Sequence, residues 1–259
     1  MMDYPYNNIF DSHAHYESKR FDPDRAKLLN ELPGRGVRYV LNAASDFESA
    51  EAGIKLAEEY GYIYASAGFH PHETKKATPG FTAKLAELLR RPKVQAVGEI
   101  GLDYHYDFSP QEVQRRVFEE QLALAVELDL PVIVHDREAH YDTLALLKKY
   151  KPAGVVHCYS GSAEMARELL SIGFYIGFTG VVTFKNARKV LEAARAVPID
   201  RLLIETDCPY MAPEPQRGRR CDSGLLGYTA QALAREKGID TQALIDRTCQ
   251  NAMELYRII

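Results

Sequence analysis

Short runs rich in β-branched and other apolar residues alternate with longer stretches whose apolar positions recur at helical spacing. Val132-Ile133-Val134 and Val155-Val156 are continuous apolar runs, the mark of parallel strands covered by helices. The pattern predicts strands near 8–15, 37–43, 63–70, 94–101, 131–136, 154–159, 174–179 and 201–207. Amphipathic segments follow each of them, around 25–32, 47–60, 81–89, 111–128, 141–150, 163–171, 187–196 and 228–237. A last segment, over 241–256, is expected to pack on the outside.

Eight strand–helix units in 259 residues match an α/β fold of the (β/α)8 TIM-barrel type. No Ser/Gly-rich linker or charge block divides the chain, so residues 1–259 read as a single domain. A doubly wound open sheet is the competing architecture, but the Gly-rich GxGxxG turn it needs after strand one is absent. In a barrel, functional groups collect at the C-terminal ends of the strands.

Composition narrows the function. The chain is 46% hydrophobic, enough for a large core, and its net charge of −4 comes from acids and bases mixed along its length. A long basic nucleic-acid footprint is therefore excluded, and any polyanion must be gripped locally. Met1-Met2-Asp3-Tyr4-Pro5-Tyr6 shows neither a charged n-region nor an apolar h-region, which argues against a secretory signal. No apolar run is long enough to span a bilayer. Cys158, Cys208, Cys221 and Cys249 form no CxxC pair, so a reducing cytoplasm is the expected location. Strand alternation predicts that Cys158 and Cys208 point away from the residues before them, as inert core thiols.

Chemistry enters with the histidines. In Phe10-Asp11-Ser12-His13-Ala14-His15 the two imidazoles sit at i and i+2 of a strand, on one face, where they can share a cation. His70, His135 and His157 also occupy predicted C-terminal strand ends, and His72 lies just beyond one. Only His105 and His140 lie further along the following segments. Histidines that merely fill a core have no reason to prefer strand ends. With Glu99 and Asp207 at two more of them, the set reads as one hydrolytic metal centre, acting on phosphodiester bonds.

The motifs carry a resemblance. Asp11-Ser12-His13-Ala14-His15, Gly68-Phe69-His70-Pro71-His72 and Gly98-Glu99-Ile100-Gly101-Leu102-Asp103-Tyr104 lead the set. Leu130-Pro131-Val132-Ile133-Val134-His135, His157-Cys158-Tyr159-Ser160-Gly161 and Glu205-Thr206-Asp207-Cys208-Pro209-Tyr210 complete it. Together they resemble the TatD-type metal-dependent deoxyribonucleases of the amidohydrolase superfamily. The resemblance implies two divalent ions, supported by Mg²⁺ or Mn²⁺, although the donor types also suit Zn²⁺. His13, His15 and Asp207 would hold one ion, His135 and His157 the other, and Glu99 would bridge them. Cations ~3.5–4 Å apart repel unless a carboxylate and a hydroxide lie between them. That bridging hydroxide is the expected nucleophile, and the expected reaction is exonucleolytic cleavage of single-stranded or frayed DNA ends.

Asp207 is placed to accept the water's proton, and His70 to stabilise a phosphate oxygen or protonate the leaving group. Arg137 and Arg217 are candidate phosphate clamps, whereas Arg219 and Arg220 read as solvated surface. Asp11 and Glu205 each precede a ligand by two positions, either orienting it or paired elsewhere. Tyr104, Tyr106, Tyr159 and Tyr210 fall on active-face loops, where stacking on bases competes with ordinary packing. The stretch Arg219-Arg220-Cys221-Asp222-Ser223-Gly224-Leu225 departs from the Asn-Glu-Pro-like continuation usual in the family, which bears on substrate choice. The alternative activity is an amidohydrolase acting on a small cyclic amide, lactone or ester; a metal-stabilised scaffold fits least.

Overall fold

The computed structural model describes residues 6–106 and 108–258, and eight strands among them form one parallel sheet in sequence order. The strands are β1 (Ile9–Ala14), β2 (Val37–Asn42), β3 (Ile63–Ala67), β4 (Val94–Asp103), β5 (Val132–Arg137), β6 (Gly154–Val156), β7 (Tyr175–Phe178) and β8 (Leu202–Ile204). The helices are α1 (Arg25–Glu31), α2 (Phe47–Glu59), α3 (Phe81–Leu89), α4 (Gln111–Glu127), α5 (His140–Tyr150), α6 (Ala163–Ser171), α7 (Arg188–Ala196), α8 (Leu226–Lys237) and α9 (Thr241–Tyr256). Local chemistry starts and stops them. The Asp46 carboxylate accepts from Ser49 N at the head of α2 while Ser49 Oγ receives Asp46 N, a reciprocal cap. Gly238, at φ 65°, ends α8 in a left-handed cap.

The strands alternate as a barrel requires. Ile9, Val40, Val97, Val132, Val156, Ile176 and Leu202 belong to the outer core under the helices. Their neighbours Phe10, Leu41, Ala96, Ile133, Val155, Tyr175 and Leu203 form a second, inner cluster, with Tyr64 of β3 packed against it. Cys249, Ala252, Leu255 and Tyr256 of α9 complete that inner cluster. The Tyr256 ring lies 6.0 Å from Phe10, and its hydroxyl donates to the Ser12 carbonyl at 3.2 Å. The last helix thus plugs the barrel floor, a correction to packing on the outside alone. Its Leu244 and Ile245 still join the outer core, so it buries two faces. Each large apolar side chain it buries contributes roughly 1.5–3 kcal/mol.

Between β1 and β8 the backbone pairing shrinks to one bridge, Ala14 with Cys208. His15 N donates to Cys208 O and Asp207 N to His13 O, both at 2.9 Å. Side chains close the rest of this seam. Asp11 accepts from Thr206 N, Thr206 Oγ1 and Ser223 Oγ, and Ser12 Oγ lies 3.2 Å from Glu205 Oε2.

Three strands end three residues earlier than the hydrophobic pattern predicts: β3 stops at Ala67, and β6 and β8 are cut short as well. β6 stops at Val156 and β8 at Ile204, and their continuations turn through left-handed residues, Cys158 at φ 43° and Asp207 at φ 57°. β4 instead runs on to Asp103, paired with Arg137 of β5. Glycine permits this. A Cβ on Gly101, at φ 143°, would sit 2.0 Å from the His135 carbonyl oxygen.

Candidate metal centre

One pleat above the apolar floor, the barrel interior turns polar, with Ser12, Ser66, His135, His157 and Glu205 each two residues past a floor residue. Strict alternation would send Glu99 outward with Val97, and His13 outward with Ile9. The ladder shifts register between Val97 and Ile100 in β4, and between Asp11 and Ala14 in β1. Those two irregularities coincide with the turn of Glu99 and His13 into the interior.

Glu99 stands at the centre, and its two oxygens face different partners. Oε2 lies 3.3 Å from His13 Nε2 and 3.8 Å from His15 Nε2. Asp207 Oδ1 joins that side, 3.4 Å from His15 Nε2 and 3.8 Å from His13 Nε2. Oε1 lies 2.7 Å from His157 Nε2, 3.0 Å from His135 Nδ1 and 3.4 Å from His70 Nε2. All seven sequence candidates around the centre are therefore brought together.

The far edge of each ring decides what it presents to the centre. His15 Nδ1 lies 3.0 Å from the Ala43 carbonyl, so that nitrogen carries a proton and Nε2 offers a lone pair. His135 Nε2 lies 3.0 Å from Asp103 Oδ2, leaving the Nδ1 lone pair toward Glu99. His157 Nδ1 faces Glu205 Oε1 at 3.6 Å, with Nε2 inward. His70 differs. Its Nδ1 accepts the His72 backbone N–H at 3.1 Å, so the neutral ring aims an N–H at the centre. Distance alone groups His70 with Glu99 and His135 as a ligand trio. Its tautomer makes it a donor instead.

Charge is balanced within the cluster. Burial works to raise the Glu99 carboxyl, but His157, His70 and His13 outweigh it and hold the group well below its usual range. Asp207 is likewise held low, against burial, by His15, His157 and His13. Burial lowers His70 to about 4, keeping it neutral, and lowers His13 as well. His15 rises against its burial, through Asp207 and Glu17, carboxylates that favour positive charge at its Nε2, whether a proton or a metal cation taken up by the lone pair. Nitrogen and carboxylate donors divided about one central carboxylate fit divalent cations, with His13, His15 and Asp207 on one side and His135 and His157 on the other.

The centre lies in a cleft of about 950 Å³. Asp103 is the residue that sequence reasoning missed. Its Oδ2 meets both His135 and His72 (2.8 Å), and its Oδ1 accepts the His105 and Tyr106 backbone N–H groups at 3.0 Å each. Its place four residues after Glu99, within the same motif, was the available signal. Glu205 turns toward the ligands, as one of its two readings required. Asp11 does not, because the register shift in β1 leaves it stitching the seam. Cys158 is a correction: the chain leaves β6 before it, so its side chain lines the cleft. Burial pushes that thiol far above its usual range, so it stays protonated. Cys208 is buried, as expected.

Arg137 lines the cleft, with its guanidinium 4.7 Å from the Tyr106 ring centre. Arg217 stands 4.2 Å over Phe184, beside a separate cavity of about 300 Å³. Arg220 is not a solvated side chain; it pairs in bidentate fashion with Asp24, at 2.6 Å for both contacts. The Cys221-Asp222 stretch is anchored too, through Asp222 with Arg35 at 3.2 Å. Tyr104 and Tyr159 are engaged in structure, donating to Asp142 and to the Ser162 carbonyl.

A family model described as TatD related DNase matches residues 10–257. The chain belongs to the TatD family. It is 40% identical over 253 residues to the metal-dependent hydrolase YabD of Bacillus subtilis, covering 96% of this chain and 99% of the relative. It is 33% identical over 258 residues to the 3'-5' ssDNA/RNA exonuclease TatD of Klebsiella pneumoniae, covering 96% and 98%. The crystal structure of YJJV, a TatD homologue from Escherichia coli K12, superposes with a TM-score of 0.91 at 30% identity, covering 97% of this chain and 99% of that one. This TatD-family chain is thus a metal-dependent hydrolase on a TIM barrel. No helix among its described residues is long and apolar enough to cross a membrane.

Proposed function

We propose that this protein removes nucleotides from single-stranded or frayed DNA ends by hydrolysing phosphodiester bonds, with two divalent ions as cofactors. The observation that carries the reading is the division of Glu99 between two ligand sets at the floor of an open cleft. Relatives named as ssDNA/RNA exonucleases support the substrate class. Four free cysteines suit a reducing cytoplasm.

Divalent ions held by these donors would supply Lewis acidity and an acidified water. The chain's own groups do the rest. Asp207, held ionised, takes the proton of the attacking water at a carboxylate oxygen. His70, neutral with its proton on Nε2, donates to a phosphate oxygen or to the leaving oxygen. Arg137 grips a phosphate at the rim with a planar guanidinium. The protein's acidic balance supplies no other broad attraction for a polyanion, so binding is local and short.

A labelled oligonucleotide ladder tests the reading, run with EDTA and with Mg²⁺, Mn²⁺ or Zn²⁺ added back. Progressive shortening that needs metal and vanishes in Glu99→Ala is expected, with circular dichroism unchanged. Turnover of amides or lactones and none of DNA would overturn it.

A further inference from the structure

Exposed aromatic and large apolar side chains gather at the cleft mouth. Tyr106 is 41% exposed, Phe108 53% and Tyr210 52%, with Met211 at 37%. Tyr106 and Phe108 follow β4, while Tyr210 and Met211 follow β8, and these strands stand four places apart in the eight-strand order, on opposite sides of the barrel. Tyr106, Arg137, Tyr210 and Met211 all line the cleft. Exposed apolar surface of this kind at a site rim marks a contact surface.

The rings are already organised. Tyr106 and Phe108 stack with centroids 5.4 Å apart and planes 20° from parallel. His72 meets both edge-on, at 5.6 Å and 4.8 Å, and Asp103 fixes that imidazole from below. A guanidinium accompanies each aromatic group: Arg137 at Tyr106, and Arg20 at 5.4 Å from the Tyr210 ring. A flat ring beside a guanidinium matches one chemistry, a heteroaromatic base joined to a phosphate. Bases inside a duplex are already stacked on both faces. Only an unpaired base can add to an exposed protein ring.

We propose that the Tyr106–Phe108 pair and Tyr210 are two base-stacking platforms on opposite sides of the catalytic centre. They hold one unpaired nucleotide on each side of the bond to be cut, and so select single strands. The platforms rest on the nuclease reading and give it a specificity determinant. Glu73 and Glu138, also in the cleft wall, discourage a long polyanionic track, so the rings rather than a basic groove carry the strand.

The test uses full-length protein with Mn²⁺. KM and kcat are measured for a short single strand, and fluorescence anisotropy compares that strand with its blunt duplex. Phe108→Ala and Tyr210→Ala are each expected to raise KM roughly tenfold with kcat largely kept, and to erase the preference for the single strand. Phe108→Trp and Tyr210→Phe, which keep a ring, are expected to retain wild-type KM, separating stacking from misfolding. If the wild type cleaves DNA while both alanine variants keep its KM, the platforms are overturned and the nuclease reading stands. If the wild type cleaves no oligonucleotide but binds the single strand in a ring-dependent way, the nuclease reading fails, and with it the placement about a scissile bond, while base stacking on the rings stands. A wild type that neither binds nor cleaves overturns both.

Discussion

The backbone N–H of His72 donates to Nδ1 of His70 across 3.1 Å, and this bond sets His70 apart from His15 and His135. Those two rings anchor their outer nitrogen on an acceptor and turn a lone pair inward. His70 anchors on a donor and turns an N–H inward. Replacing His70 with Ala should lower kcat about a hundredfold or more while leaving Mn²⁺ affinity unchanged. Calorimetric titration alongside kinetics checks it; a matching loss of metal affinity would make His70 a ligand.

Asp103 should behave in the opposite way. Burial works to raise its carboxyl, but His135, His72 and the Tyr106 backbone N–H outweigh it and keep the group ionised. Asp103→Asn removes the charge that fixes the His135 tautomer. Metal affinity should fall about 10–100-fold in one binding step, leaving the step that uses His13 and His15 intact. Equal weakening of both steps in a titration would show that Asp103 supports the whole centre instead.

Stability carries its own pH signature at the rim. Asp136 Oδ2 lies 2.7 Å from His140 Nδ1 and raises that imidazole above its ordinary 6.5, against partial burial. A raised histidine binds its proton more tightly in the folded chain. Its contribution is therefore complete below 6.5 and lost as pH climbs through the folded value. The melting-temperature gap between wild type and His140→Gln should be wide at about pH 6 and closed by about pH 9. A gap that stays constant across that range would exclude the linkage.

The seam between β1 and β8 should be fragile. Asp11 is fully buried and its carboxyl is pushed up to about 7 by burial, despite its bonds from Ser223 and Thr206. Asp11→Ala removes the acceptor shared by two hydroxyls and by the Thr206 and His13 backbone N–H groups in a dry layer, at a cost of about 3 kcal/mol. Urea unfolding should show that loss in the midpoint, with Asp11→Asn milder because it keeps an acceptor. Wild-type stability in Asp11→Ala would mean the single backbone bridge closes the barrel unaided.

Much was determined by the linear order of residues. Alternating periodicities predict eight strand–helix units, because a twofold and a 3.6-fold repeat each bury one face. Chemistry at the strand ends predicts His13, His15, Glu99, His135, His157 and Asp207 as one cluster, since parallel strands bring their C-terminal ends together. Period-two reasoning fails where the ladder itself breaks. Counting by twos back from His13 would put Asp11 on the ligand face, and counting on from His157 puts Cys158 outward; both fail because register shifts and left-handed turns are settled by neighbouring strands, not by the local pattern. Tertiary structure alone placed Asp103 behind His135, gave His70 an inward N–H, and set Tyr106 and Phe108 across the cleft from Tyr210. These depend on distances between segments far apart in the chain, and no local spacing encodes a distance of that kind.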